Sequence, residues 1–559
     1  MANLESIGEV VSADLLIVGG GIAGLCAAIK AKEEGPDLDV LLVDKQSIGW
    51  GGVSNKGGGI HIVFPQDYDI DKFVDYHVKN IGHYLNDQEL THMMARYAGP
   101  ALEKMEEWGV SVQRNEDGSL NLGPVDFGWA LAGVDHDLML KLRKHARKLK
   151  IRMMDKTLVV ELLKRDDRVT GAVGFNLIDG KYSIFKAKAI VLANGDCQFK
   201  GMRMWRSSGE GIFAAYMAGA EMRNAEFGNF YEMLRPDNNE AMPFAHHFLY
   251  NNEGEFITPK YMPEETADIP PAILLGMEKE VLEGKGPIFL DMQQYFAHMV
   301  QFITKWDRPH VTAFYSKAMG KAMKYGPETG ARVEIIPGFI GEFSPVKVDQ
   351  EMKTTVPGLW AIGDICSAGS TWRGAIPPPG AMRGSGLMNA SVNALIGMPS
   401  AVSYAMETPP PEIDVGEVKR LKEDIYPPMK RDKGYEANDA IYAIQDVVAP
   451  IRYNLRRSKD RMEEALAKVL EVKARLPELY AKDGHGLCKS HETKCLTLCA
   501  EMGFRAALMR TESRGWHYRE DYPERDDKDW LKWIILRKEE GEMRLSTETV
   551  PIDKYKVKP

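Results

Sequence analysis

The run Leu15-Leu16-Ile17-Val18-Gly19-Gly20-Gly21-Ile22-Ala23-Gly24 carries an apolar strand into a glycine turn and on into a helical pattern, Leu25-Cys26-Ala27-Ala28-Ile29-Lys30. Its glycines are spaced Gly19-x-Gly21-x-x-Gly24. Gly19 permits the tight turn, Gly21 lets the backbone approach a pyrophosphate, and Gly24 lets the helix pack on the strand. The helix N-terminus then offers free N–H groups and a positive dipole end to phosphates. A second strand, Asp39 to Val43, ends in Asp44, 20 residues after Gly24. That spacing suits a carboxylate that binds a ribose hydroxyl. Glycines alone fit a structural βαβ unit equally well; strand, turn, helix, strand and acid in order predict a dinucleotide site.

Next comes a glycine-rich loop, Gly49 to Gly59, read as close backbone approach to a flat ligand or as a surface loop. Residues 70–110 have helical spacing, with Leu102, Met105 and Trp108 on one face. Between 150 and 195 the period becomes two. Leu158–Leu163, Val169–Phe175 and Tyr182–Phe185 predict an antiparallel meander, followed by a separate buried strand, Ala187–Ala193. That strand delivers Ala193, Asn194 and Gly195 to a turn, and Ser207-Ser208-Gly209-Glu210-Gly211 opens the next helix. From about 226 to 334, aromatics, methionines and prolines alternate with polar residues, as in an inserted domain. Strand character returns at Val333–Pro337, and Leu359-Trp360-Ala361-Ile362 ends in Gly363-Asp364. The loop Ser367–Ser385 leads into a small-residue helix from Gly386 to Ala394. A proline-rich linker is expected at 400–415, a charged helical region at 417–510 and a charged, aromatic tail from about 516.

Composition narrows the function classes. The 559 residues suffice for three or four domains, and the formal net charge of −9 opposes a nucleic-acid binder. Six cysteines in this length do not make a disulfide framework, so a reducing, cytoplasmic setting is expected. Met1 to Asp14 shows no signal-peptide pattern, and no apolar run reaches 18 residues, so no direct membrane insertion is expected. Cys488, Cys495 and Cys499 with His491 match neither a zinc ribbon nor a ferredoxin spacing, and no metal site is assigned.

Three separated pieces point the same way: the N-terminal fingerprint with Asp44, the 187–196 strand, and the strand ending in Gly363-Asp364. With them, the C-terminal run Arg510-Thr511-Glu512-Ser513-Arg514-Gly515-Trp516-His517-Tyr518-Arg519 to Asp527 closely resembles the fumarate reductase and succinate dehydrogenase flavoprotein family. The pattern is most similar to the branch of the adenylylsulfate reductase alpha subunit. The resemblance covers nearly the whole chain. It implies an α/β fold: a two-part Rossmann-like FAD-binding domain with an inserted α+β capping domain and a C-terminal helical domain. The corresponding boundaries are 1–225 and 335–405 for the FAD-binding parts, 226–334 for the cap, 412–515 for the helical domain and 516–559 for the tail. Carried over residue by residue, the cofactor positions are Gly19, Gly21, Gly24, Asp44, Lys45, Ser54, Gly57, Gly58 and Asp364, with Gly384 to Gly386, including Ser385, starting the helix that faces the flavin. Lys56 ends the flavin loop, and Ala193, Asn194, Gly195 and Gly363 belong to the strand ends. The resemblance further implies an iron–sulfur or ferredoxin-like partner, because this chain has no cluster motif. A homo-oligomer stays open.

Departures from the family shape the expected chemistry. Gly52 stands where covalent members carry a flavin-linking histidine, so FAD is expected to be non-covalent. The segment Phe339–Pro345 lacks the histidine of dicarboxylate-active members, Pro379 replaces a second histidine, and no arginine falls near Asp268–Ala272. These differences argue against succinate or fumarate as substrate. Ile62 stands where the adenylylsulfate-active branch has an asparagine, which argues against adenylylsulfate. The candidates for substrate contact are Arg383 and Arg373, which can clamp a small anionic substrate or serve in salt bridges. His246 and His247 read equally as general acids or as core histidines, and Glu342 as a proton relay. His517, Arg519 and Asp526-Asp527 read as structural hydrogen bonding and subunit contact. The expected function is that of an FAD-dependent oxidoreductase subunit passing electrons between a capped anionic substrate and an iron–sulfur partner. The alternatives are sulfur-oxyanion chemistry and a non-catalytic electron-transfer flavoprotein subunit.

Overall fold

The computed structural model describes residues 4–54, 60–64, 68–122, 130–135, 137–201, 206–237, 240–242, 245–261, 271–295, 297, 332–366 and 386–559. At its centre is strand β1 (Glu9–Val18). Leu15 to Val18 are buried, as expected for a strand covered on both faces. On one side β1 pairs in parallel with β2 (Val40–Val43), in register from Leu15↔Val40 to Val18↔Val43. The short β3 (Arg152–Met154) adds to β2. The helix between β1 and β2 is α1 (Ile22–Glu34), whose first eight residues are all buried.

The meander follows as β4 (Thr157–Arg165), β5 (Arg168–Asn176) and β6 (Tyr182–Leu192). Tyr182–Phe185 and the buried run after it are one strand rather than two. Lys186 and Lys188 suggest a break in the sequence, but they hold the outward phase while Ala187 and Ala189 are buried. Lys188 pairs with Asp14 of the neighbouring strand at 2.8 Å, so its charge is accommodated at the sheet face. The first half of β6 pairs antiparallel with β5. Its second half pairs in parallel with β9 (Leu359–Ala361), while β1 lies along its other edge. Helix α3 (Gly386–Glu407) packs on α1. It continues through Pro399 into the expected linker, because Met398, Ala401, Val402 and Ala405 bury a continuous apolar face. The connection proper is Thr408 to Asp414. The expected helical run at 70–110 is divided into Ile70–Tyr76, His77–Ile81 and Gln88–Glu107.

The inserted region leaves the sheet through Ala225–Phe227 and begins with β7 (Phe230–Arg235). β7 pairs antiparallel with β8 (Ile336–Gly341), from Phe230↔Gly341 to Leu234↔Ile336. The two ends of the insert are therefore zipped together where they join the rest of the chain. In the C-terminal part, α4 (Gly484–Met509) packs against α2 (Glu210–Met217) and against Ala225–Phe227. The charged tail forms a hairpin, β10 (Lys532–Glu539) with β11 (Glu542–Thr549), which captures Met222–Arg223 as a third strand.

A buried charge network joins the tail to the root of the insert. Arg510 reaches Glu226 at 2.8 Å and Glu512 at 2.7 Å, and these three side chains have no solvent exposure. Arg514 binds both oxygens of Glu512 at 2.7 Å and reaches Asp527 at 2.9 Å. His517 is fully buried, with Arg457 at 2.5 Å from its Nδ1. Burial and the surrounding guanidinium groups drive the His517 pKa far below its usual range, so the ring is neutral. Removing one member of such a network leaves buried charge uncompensated. Glu512→Ala is therefore expected to lower stability by about 3–5 kcal/mol, read from chemical unfolding. A loss under about 1 kcal/mol, the size of an exposed pair, would contradict this reading.

Candidate cofactor site

The register that pairs Val18 with Leu192 and Leu192 with Ala361 brings three strand ends level. Ala193 N donates to Val18 O at 2.7 Å and Ile362 N to Leu192 O at 2.9 Å, so Gly19, Ala193 and Ile362 leave the sheet side by side. Gly19 has φ +114°, and a Cβ there would lie 2.3 Å from the Ala193 carbonyl oxygen. A Cβ on Gly24 would lie 1.8 Å from the Gly19 carbonyl oxygen. Both positions thus exclude any side chain, and the reason is backbone contact within the turn.

A cleft opens in front of these strand ends. Gly19, Gly21, Asp44, Lys45, Ser54, Ala193, Asn194, Gly195 and Asp364 all line it. Gly21 caps α1, and Ile22 N donates to Ser54 Oγ at 3.1 Å, which ties the flavin-loop segment to the helix N-terminus. The Asp44 carboxylate accepts from Gly20 N and Gln46 N, each at 2.5 Å. Burial raises its pKa against those two bonds. Lys45 is engaged by protein carboxylates: it bonds Glu210 and, at 2.8 Å, Glu492 of α4. Glu492 also accepts from Lys200. Burial opposes ionisation of Glu492, but the two lysines hold its pKa down to about 2.

On the far side, Gly363 N donates to Asn393 Oδ1 at 2.9 Å. Gly386, at the start of α3, lies so close to Asp364 that its Cβ position is 3.5 Å from Oδ2. Asp196 accepts from Ser207 Oγ at 2.8 Å, and burial pushes its pKa up to about 7. Burial and the neighbouring Asp196 raise that of Asp364. Lys56, Gly57, Gly58, Ser385, Arg373 and Arg383 lie outside the described residues.

The candidate substrate residues are placed as follows. His246 and His247 sit on the turn Ala245–Phe248, their ring centroids 3.9 Å apart. His246 is fully buried and its carbonyl accepts from Thr258 Oγ1. Glu342 directly follows β8, is buried and has φ +101°. Its neighbour Phe343 exchanges backbone hydrogen bonds with Cys197 at 2.9 and 3.0 Å, next to Asp196 of the cleft. Sequence reasoning did not single out Asp196, Arg206, Ser207, Glu210 or Thr157, all of which line the cleft. The Ser207–Gly211 motif held the signal for two of them. His61 was also missed: burial takes its pKa down to about 4, and the neutral ring contacts Ile62 O and Ser391 Oγ.

This cleft fits FAD. Among the described residues nothing lies within 4 Å of a Cβ position on Gly52 or Gly195. Asp364 Oδ1 and Asn194 Oδ1 are buried acceptors with no hydrogen-bond partner among the described residues, positioned for hydroxyl or N–H donors of a ligand. The α1 N-terminus and the side-chain-free Gly19-Gly20-Gly21 turn suit a pyrophosphate.

Fold and site together define a flavin-dependent oxidoreductase that binds FAD. Residues 14–235 match the FAD binding domain family, and residues 451–559 match the fumarate reductase flavoprotein C-terminal family. The chain is 24% identical over 570 residues to one of the subunits of the fumarate reductase (CoM/CoB) of Methanothermobacter marburgensis, covering 95% of this chain and 98% of that protein. A chain of E. coli quinol fumarate reductase shares the fold with a TM-score of 0.80, 20% identity and 99% coverage of both chains. Adenylylsulfate reductase from Archaeoglobus fulgidus does so with a TM-score of 0.78, 22% identity, and coverage of 99% of this chain and 97% of that one. The chain belongs to the fumarate reductase and succinate dehydrogenase flavoprotein family. Among the described residues no helix is long and apolar enough to cross a membrane.

The steric reading of the turn makes a direct prediction. Gly24→Ala should yield folded protein whose flavin-to-protein ratio is near zero by absorbance. Full flavin content in that variant would contradict the packing at Gly19.

Proposed function

We propose that this chain is the flavoprotein subunit of an oxidoreductase that exchanges electrons between a small anionic substrate beneath the 226–334 insert and an iron–sulfur or ferredoxin-type partner. The observation that carries this reading is the convergence of Gly19, Ala193 to Asp196 and Asp364 on one cleft. The full-length likeness to flavoprotein subunits of fumarate reductases supports it. When bound, FAD supplies two-electron exchange with the substrate and one-electron exchange with a partner. Asp44, Asn194 and Asp364 would hold the cofactor's hydroxyl groups. The backbone of Gly19 to Ile22 would hold its phosphates, and the start of α3 would face its ring.

The cofactor is held without a covalent link: Gly52, at the family's linking position, has no side chain to bond it. Denaturing the holoprotein should release all flavin into the supernatant; flavin retained on the precipitated chain would overturn this.

Arg383 and Arg373 are assigned to the substrate's anionic group, and His246, His247 and Glu342 to proton delivery beneath the insert. A charge clamp that acts mainly in the transition state changes rate rather than cofactor binding. Arg383→Ala is expected to lower kcat/KM by about 100-fold with flavin content unchanged. The differences in the Phe339–Pro345 segment and at Pro379 from dicarboxylate-active members favour a substrate other than fumarate. Anaerobic stopped flow with the dithionite-reduced protein tests this: fumarate should leave the flavin reduced, and rapid reoxidation by fumarate would overturn the substrate assignment.

A further inference from the structure

A positive surface adjoins the cofactor site of an otherwise acidic chain. Leu138 to Arg152 carries seven lysines and arginines and no aspartate or glutamate, whereas the whole chain has a net charge of −9. Leu138–Lys148 is a helix that buries Leu138, Met139, Leu142 and Ala146 and packs on α1. Helical spacing gathers Leu140, Lys144, Arg147 and Lys148 on the face left to solvent. Three of the cations are neutralised: Lys141 pairs with Asp137 at 3.0 Å, Arg143 with Asp155 at 3.1 Å and Arg152 with Asp39 at 2.7 Å. Lys144, Arg147, Lys148 and Lys150 are exposed and form no ion pair among the described residues.

Two large apolar side chains interrupt this charge. Leu140 is 53% exposed and Trp50 is 56% exposed. Trp50 closes the turn that begins at Ser47, and that turn is fixed to the helix twice. A Cβ on Gly49 would lie 3.4 Å from the Met139 carbonyl oxygen. Asp155 bridges the two segments, accepting from Ile48 N at 2.7 Å and from Arg143 at 3.1 Å. The residues that follow Trp50, Gly51 to Ser54, line the cofactor cleft. Helix face and turn thus form one surface that runs up to the cleft. An exposed aromatic anchor beside unpaired charges of one sign has the make-up of a docking surface: the ring supplies apolar burial, and the charges steer and orient the partner.

We infer that this surface docks an acidic iron–sulfur protein of the ferredoxin type, with its carboxylates on Lys144, Arg147, Lys148 and Lys150 and Trp50 at the centre of the contact. The inference rests on the electron-transfer function proposed above and places the partner of that function. Charge complementarity selects a polyanion. Continuity with the cleft-lining segment selects one that exchanges electrons over a nucleic acid or an anionic membrane. In the reducing direction two partners dock in succession and each loses one electron; the two electrons, with one proton from solvent, reduce the bound flavin.

The test is anaerobic stopped flow of the FAD-loaded, full-length chain with a reduced acidic [2Fe–2S] ferredoxin, read as flavin bleaching. The second-order rate constant is expected to fall about tenfold as salt rises from ~20 to ~300 mM. Combining Lys144→Glu, Arg147→Glu and Lys148→Glu is expected to lower the low-salt rate constant about tenfold or more. Flavin content, and reduction by the uncharged reductant photoreduced 5-deazariboflavin, should not change in that variant. Carbodiimide cross-linking of the unaltered chain to the same ferredoxin should join Lys144, Lys148 or Lys150 to its carboxylates. An undiminished rate in the triple variant, or cross-links confined to other lysines, overturns the docking site and leaves the proposed function standing. A chain that deazariboflavin reduces but ferredoxin does not overturns that function and the docking site with it. Binding to phosphatidylserine vesicles that is lost in the triple variant, with ferredoxin transfer intact, assigns the patch to a membrane and overturns the proposal as well.

Discussion

Parallel pairing of β6 with β1 on one edge and β9 on the other is the constraint on which the rest depends. It joins segments separated by more than 300 residues in sequence, and it sets Val18, Leu192 and Ala361 in one register. Every feature of the cofactor site then follows from what comes immediately after those residues. Gly19 turns so close to Ala193 that a Cβ on it would lie 2.3 Å from the Ala193 carbonyl oxygen, so only a hydrogen fits there. Asn194, Asp196 and Asp364 bring polar groups to the edge of an otherwise apolar sheet. A slip of one residue in either pairing would turn these side chains to the opposite face.

The second brace is electrostatic. Glu226, where the insert leaves the first half of the cofactor domain, is held by Arg510, which shares Glu512 with Arg514. A similar tie runs on the other side of the site, where Glu492 of α4 bridges Lys45 and Lys200. Buried pairs of this kind add little net stability over apolar packing, but losing one partner is costly. They therefore fix where the helical part sits against the cofactor part. The hairpin of the tail adds a backbone tie through Met222–Arg223.

The cofactor half was legible because its demands are local and steric. The Gly19, Gly21 and Gly24 spacing, the acid at Asp44 and the apolar run into Gly363-Asp364 each show in a few adjacent residues. Other features were less legible because they depend on distant partners. Asp196 gains its character from burial beside Asp364, and no local pattern marks that. Lys45 reads as a cofactor-binding cation, yet its ammonium is shared between Glu210 and Glu492, the latter 447 residues away. Lys186 and Lys188 break the apolar run on paper, although the strand is continuous. The helix through Pro399 was likewise hidden, because the packing of Ala401, Val402 and Ala405 outweighs the local proline signal. Arg519 read as a structural hydrogen-bonding residue, and it is buried together with Arg510 and Arg514, whose burial no local pattern marks.

The central claim is that three remote strand ends form one cofactor site. Hydrogen exchange with mass-spectrometric readout, on the full-length flavin-stripped chain with and without FAD, tests it most directly. The account predicts that FAD slows exchange together at Gly19–Ala23, at Asn194–Asp196 and at Gly363–Ile365. Protection confined to the first of these segments, with the other two unchanged, would contradict it.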